Sequence, residues 1–174
     1  MSNVCVFGKL VEDKTIVYGE YANIIWNDGY YGEKEDGNLI LAPFETLFLV
    51  GNGKLKIFIN HEKSLSFNEL LNVFLKYDPN IWIKYIIYSD LRSRGYIVKK
   101  GFNDMSFRVY ERGTIIGRDP AKFIVYGVME GKPISLYELK ELVDSAKDIR
   151  KDLILAIVDR QNEVAYYNVS EILL

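Results

Sequence analysis

Leu153-Ile-Leu-Ala-Ile-Val158 is an apolar run of strand length with no polar residue in it. Such a run has no side to show to water, so it must be covered on both faces, as an inner strand of a layered α/β unit is. The residues around it supply the layers. Ser135-Leu-Tyr-Glu138 reads as a capping box opening a helix, with Leu136, Leu139, Leu142, Val143, Ala146 and Ile149 as its apolar stripe. After a turn at 159–163, residues 164–169 form a last strand. Upstream, 96–100, 107–110 and 123–129 are strand candidates, with a loop over 111–121. Before them a helix starts at Asp78-Pro79 and stops at Gly95, with Ile81, Tyr85, Tyr88 and Leu91 on its buried face. The order αβββαββ predicts a small C-terminal α/β domain over 79–174, a mixed sheet flanked by two helices.

The first 78 residues read differently. Strands are expected at 5–11, 15–18, 24–26, 38–41 and 54–59, the first two flanking the turn Glu12-Asp13-Lys14. Pro43 can start a helix that Gly51 can stop. A second helix opens at the capping box Ser66-Phe-Asn-Glu69, with Leu70, Leu71, Phe74 and Leu75 at helical spacing. This N-terminal part, 1–78, is an α+β domain. The boundary falls at Asp78-Pro79.

Charge separates the two parts as well. Residues 1–78 hold seven Lys, no Arg and eleven acids, a net of −4; residues 79–174 hold eight Lys, seven Arg and thirteen acids, a net of +2. Arginine forks grip phosphate better than ammonium groups do. The basic stretch 84–122, with Arg92, Arg94, Arg108 and Arg112, therefore reads as an RNA or DNA face. A solvated charged surface accounts for the charge equally well. With a single Cys and a single His, internal disulfides, cysteine zinc sites and paired-His zinc sites are excluded. No apolar run reaches the ~18 residues of a membrane span. The start Met-Ser-Asn-Val-Cys lacks the features of a signal peptide, so a cytoplasmic location is expected.

Three segments go together. Tyr88-Ser-Asp-Leu-Arg-Ser-Arg-Gly-Tyr96 is followed by Tyr110-Glu-Arg-Gly113, and then by Arg150-Lys-Asp-Leu153 leading into the strand that ends at Val158-Asp159. In the first part, Tyr31-Gly, Gly37-Asn-Leu, Leu41-Ala-Pro-Phe-Glu-Thr-Leu and Leu65-Ser-Phe-Asn-Glu-Leu occur in the same order. Together they resemble the archaeal tRNA-splicing endonuclease family over nearly the whole chain. The resemblance implies a restriction-endonuclease-like C-terminal domain and cleavage of precursor tRNA at bulge–helix–bulge junctions without metal or other cofactor. A ribose 2′-hydroxyl attacks the adjacent phosphate, leaving 2′,3′-cyclic phosphate and 5′-hydroxyl ends. That chemistry needs a base, an acid and a cation for the phosphorane. The family uses Tyr, His and Lys, and the resemblance assigns Tyr110 and Lys151 to two of these places.

The third place is occupied by the wrong residue. Ten positions after Tyr110 stands Pro120, which has no ionisable group. A helical position where catalytic relatives carry arginine is Asp144 here, and His61 lies in the other domain. A chain with the fold but no histidine resembles the structural subunit of a heterotetrameric enzyme, two such chains paired with two homologous catalytic ones. Tyr110 is then a strand-end phenol and Lys151 a cation at a helix end. The family joins subunits at the C-terminal sheet, so Leu153, Leu155, Ile157, Tyr166, Tyr167 and Val169, with Ile172, Leu173 and Leu174 beyond them, are the interface candidates. The segment Met129-Glu-Gly-Lys-Pro133 is a poor match for the family's acidic docking loop, which suits a chain that receives its partner's loop. Two other readings stay open. One is a catalytic chain using Tyr110 and Lys151 with another acid; the other is an RNA-binding scaffold with no endonuclease partner.

Overall fold

The computed structural model describes residues 6–59 and 63–170. Cys5, His61 and the Ile172–Leu174 end lie outside the described residues. The chain packs as two compact units, residues 1–85 and 86–174.

The first unit runs β1 (Val6–Val11), β2 (Lys14–Val17), α1 (Gly19–Gly29), β3 (Glu33–Glu35), β4 (Asn38–Leu41), α2 (Pro43–Gly51), β5 (Leu55–Ile59), β6 (Lys63–Ser64) and α3 (Phe67–Phe74). Its sheet has the order β3-β4-β2-β1-β5-β6, with β1 and β5 parallel and the other neighbours antiparallel. One expectation fails: residues 24–26 are the interior of α1, not a strand. Ile24-Ile-Trp26 is β-prone but too short to reveal its period. Ala22 and Ile25, three apart, are buried on one helical face while Ile24 is exposed. The helix closes at Tyr30, which takes a left-handed backbone and donates its N–H to the Trp26 carbonyl at 2.6 Å.

Two carboxylates organise this unit. Glu45, in the first turn of α2, is buried; one oxygen accepts the Ala42 N–H at 3.0 Å and the other the Gly32 N–H at 2.9 Å. It therefore caps its own helix and holds the β3 approach at the same time. Glu69 closes the expected capping box of α3: its N–H meets the Ser66 hydroxyl at 3.3 Å and its carboxylate accepts the Ser66 N–H at 2.9 Å. Leu70 and Phe74 are buried beneath that helix, whereas Leu75 is exposed. The Lys63 ammonium, then the Ser66 groups, pull the Glu69 pKa down from 4.5 to about 2. A carboxylate depressed in the folded state stabilises above its unfolded pKa and loses that contribution as pH falls toward the folded value. Acid unfolding followed by circular dichroism is therefore expected to show a Glu69-dependent loss between pH 4.5 and 2. Glu69→Gln should flatten that part of the curve.

The second unit holds most of α4 (Ile81–Ser93), then β7 (Ile97–Lys100), β8 (Ser106–Tyr110), β9 (Phe123–Met129), α5 (Leu136–Asp148), β10 (Asp152–Val158) and β11 (Val164–Val169). The sheet order is β11-β10-β9-β8-β7, with β9 and β10 parallel and the rest antiparallel. This is the mixed sheet with two helices expected from the sequence. Register assigns the faces. Ile124 and Leu153 are partners on the face where Val143 and Ala146 of α5 pack. Gly127, Ala156 and Tyr166 align on the other face, where a Cβ on Gly127 would stand 2.6 Å from the Ile87 side chain of α4.

The apolar run is indeed an inner strand, but its cover is incomplete. Leu153, Ala156 and Val158 are buried, while Ile154, Leu155 and Ile157 are half-buried. The α5 stripe is also narrower than expected: only Val143 and Ala146 are buried, and Leu136 is 86% exposed. Helical spacing identifies a stripe, but burial depends on where the helix meets the sheet, and α5 buries only Val143 and Ala146 against Ile124 and Leu153.

Candidate active site

The loop after β8 returns to the sheet through its own hydrogen bonds. Asp119 accepts the Ile115 N–H at 2.9 Å, Lys122 donates its N–H to the Val109 carbonyl at 2.9 Å, and the Lys122 ammonium pairs with Glu111. That pairing raises the Lys122 pKa. Tyr110, the last residue of β8, is buried immediately before this loop.

The end of α5 approaches the same place by a different device. Arg150 takes a left-handed backbone at φ 56°, its N–H donates to the Lys147 carbonyl at 2.8 Å, and the Lys151 N–H to the Ala146 carbonyl at 2.9 Å. This pair of bonds is a Schellman closure, and it passes the chain from helix to β10 within three residues. Glycine is usual at the left-handed position. Here it is an arginine.

Loop and helix end together enclose an open cleft of about 580 Å³. Its lining includes Pro120 and Lys151, so the two positions singled out in the sequence share one site, and Tyr110 is the neighbour of the lining residue Glu111. Four cations (Arg112, Lys122, Arg150, Lys151) and three carboxylates (Glu111, Asp119, Asp152) face it. Such a cleft can hold an anion and offer a lysine to developing negative charge. Pro120 contributes no proton. Among the described residues, no group of three or more His, Cys, Asp or Glu side chains is placed to hold a metal ion.

Each of the four arginines has a partner within the chain. Arg112 lines the cleft and lies over the Tyr96 ring at 5.8 Å. Arg92 donates to the Tyr96 carbonyl at 3.4 Å, and Arg108 to the Lys100 carbonyl at 2.9 Å. Arg94 is bound to Asp90 at 2.8 Å and covers the Tyr166 ring. The Tyr166 hydroxyl donates to the same Asp90 at 2.6 Å; burial, then the carboxylate, push its phenol well above the usual range. Of the interface candidates, Leu153 belongs to the chain's own core, Leu155 and Ile157 are half-buried, Val169 packs beside the core, and Tyr167 is exposed. Sequence reasoning gave Arg150 no role of its own; an arginine where a helix ends without glycine was the available signal.

Comparison with known proteins covers both parts of the chain. Residues 6–71 match the family model described as tRNA intron endonuclease, N-terminal domain, and 81–166 match tRNA intron endonuclease, catalytic C-terminal domain. A tRNA-splicing endonuclease from Thermococcus onnurineus is 37% identical over 92% of this chain and 93% of its own length. One from Methanococcus maripaludis is 35% identical over 92% of the chain and 90% of its length. The Methanococcoides burtonii protein of the same name is 36% identical, and there the chain spans 45% of the relative's length. The chain belongs to the tRNA-splicing endonuclease family.

Proposed function

We propose that this chain is the structural subunit of a heterotetrameric tRNA-splicing endonuclease, with 1–78 as its N-terminal domain and 79–174 as its nuclease-like domain. It supports a homologous, histidine-bearing subunit that cleaves precursor tRNA at bulge–helix–bulge junctions in the cytoplasm. The observation that carries this reading is Pro120 on the wall of the cleft that Lys151 also lines, where the reaction calls for a proton-transferring side chain. Further support comes from the C-terminal sheet. Among the described residues β11 is an edge strand, paired with β10, and the Leu155, Ile157 and Tyr167 surface beside it is incompletely covered. An unpaired edge beside apolar surface suits a subunit join.

The test incubates bulge–helix–bulge RNA with the purified chain, with its histidine-bearing homologue, and with both, and follows 2′,3′-cyclic phosphate ends. Cleavage is expected in the mixture and not with this chain alone. Cleavage by this chain alone would make it a catalytic chain. RNA binding with no cleavage in any mixture would make it a scaffold.

A further inference from the structure

Arg150 departs from the local rules in a way its neighbours do not. A left-handed backbone is unfavourable for an L-residue, and the Schellman closure would form more easily with glycine there. Among the described residues four other non-glycine residues have positive φ, namely Glu12, Tyr30, Asp36 and Asn162, and none of them lines the cleft. Strain retained at a site wall points to a use for the side chain. The other cations of the cleft have company, Lys122 with Glu111 and Arg112 with the Tyr96 ring. Arg150 and Lys151 both face the cleft, and neither is in an ion pair within the described residues. They follow each other across the closure, one offering a planar five-donor fork and the other a compact ammonium.

We propose that Arg150 and Lys151 form a phosphodiester grip, with Arg150 as the residue that positions the RNA backbone in this cleft. This rests on reading the cleft as RNA-facing, and it adds a residue to that reading. The fork holds two non-bridging oxygens of one phosphate, as guanidinium groups do elsewhere. The helix dipole offers a competing explanation, since any cation is favourable at a helix C-terminus. The two accounts part at one substitution.

Arg150→Gly relieves the backbone strain and removes the fork together. On the grip account, it raises the melting temperature by about 2–4 °C while weakening bulge–helix–bulge RNA binding about tenfold. The slope of binding against salt concentration falls by about one phosphate contact. Arg150→Lys keeps charge without the fork and lies between the two. Fluorescence anisotropy with labelled RNA reads the affinity, and an inorganic phosphate titration followed at the Arg150 and Lys151 amides reads the anion site directly. Wild-type RNA affinity in Arg150→Gly overturns the grip and leaves the RNA-facing reading intact. Phosphate shifts lost in Arg150→Gly, in a wild type that binds no RNA, would leave a plain anion site at Arg150 and overturn both its use as an RNA grip and the RNA-facing reading. Failure of the wild type to bind either probe overturns both.

Discussion

Pro120→His is expected to give this chain cleavage activity on bulge–helix–bulge RNA at least about 100-fold above the wild-type background, since a positioned acid contributes about 10²–10⁴-fold. Position 120 lies on the cleft wall with Lys151, and the turn before it is held by the Asp119 carboxylate on the Ile115 N–H. Removing proline also releases Asp119 from the restriction that a following proline imposes. The loop's other bonds, from Thr114 to Glu111, from Arg118 and Asp119 to Ile115, and from Lys122 to Val109 and Glu111, do not involve residue 120. The imidazole is therefore delivered to a wall that is already built. The variant would be compared with Pro120→Ala, which frees the loop without adding a proton carrier and should stay at background. A histidine variant that folds, binds RNA and still cleaves no faster than Pro120→Ala would show that more than the acid separates this cleft from a catalytic one. An activity that requires Lys151, abolished in the double variant with Lys151→Ala, would show the two residues acting on the same phosphate.

The largest stability loss is expected at Gly101. A Cβ there would stand 2.6 Å from both the carbonyl carbon and the oxygen of Ser106, and closer still to its hydroxyl. Gly101 also donates its N–H to that Ser106 oxygen at 2.8 Å, so the backbone cannot retreat without giving up the bond that closes the β7–β8 turn. Gly101→Ala should cost about 3 kcal/mol, at the upper end of overpacking changes. Gly127→Ala supplies the contrast: its Cβ would meet the Ile87 Cδ1 at 2.6 Å and the Met105 methyl at 3.1 Å, both ends of mobile side chains. That variant should lose less than about 1.5 kcal/mol. Urea unfolding checks the pair, and equal midpoints would mean that the turn relaxes where the geometry says it cannot.

Much of the fold was legible because the signals were local and redundant. Ser66 and Ser135 announced their helices, Gly95 stopped one, and the apolar run 153–158 located the inner strand. What failed was whatever depended on the third dimension. Ile24-Ile-Trp26 carries β propensity, yet tertiary packing of Ala22 and Ile25 makes it helical. The α5 stripe had the right period but only two of its residues found a core. For the site, the resemblance pointed to Tyr110, Lys151 and Pro120. The carboxylates around them, and the contacts that each arginine makes, came from tertiary geometry that no spacing rule encodes. Arg94, read as RNA-facing, is half exposed, with its guanidinium held by Asp90 and lying over the Tyr166 ring.

The Schellman closure at Arg150 also fixes what length changes the chain can bear. Ala146 is in the core, Leu153 is in the core, and between them the path is a helix end, one left-handed residue and the first residues of β10. Strand side chains alternate faces, so one extra residue in that path would turn Leu153 toward α4 and take its neighbours with it. The same slip would carry Lys151 off the cleft wall, coupling loss of the site to loss of the core. Insertions should instead be borne by the exposed stretch 111–120, where a longer loop reshapes the cleft rim and leaves the sheet in register. Descendants of this sequence are thus free to vary the wall that holds Pro120, and bound to keep the wall that holds Lys151.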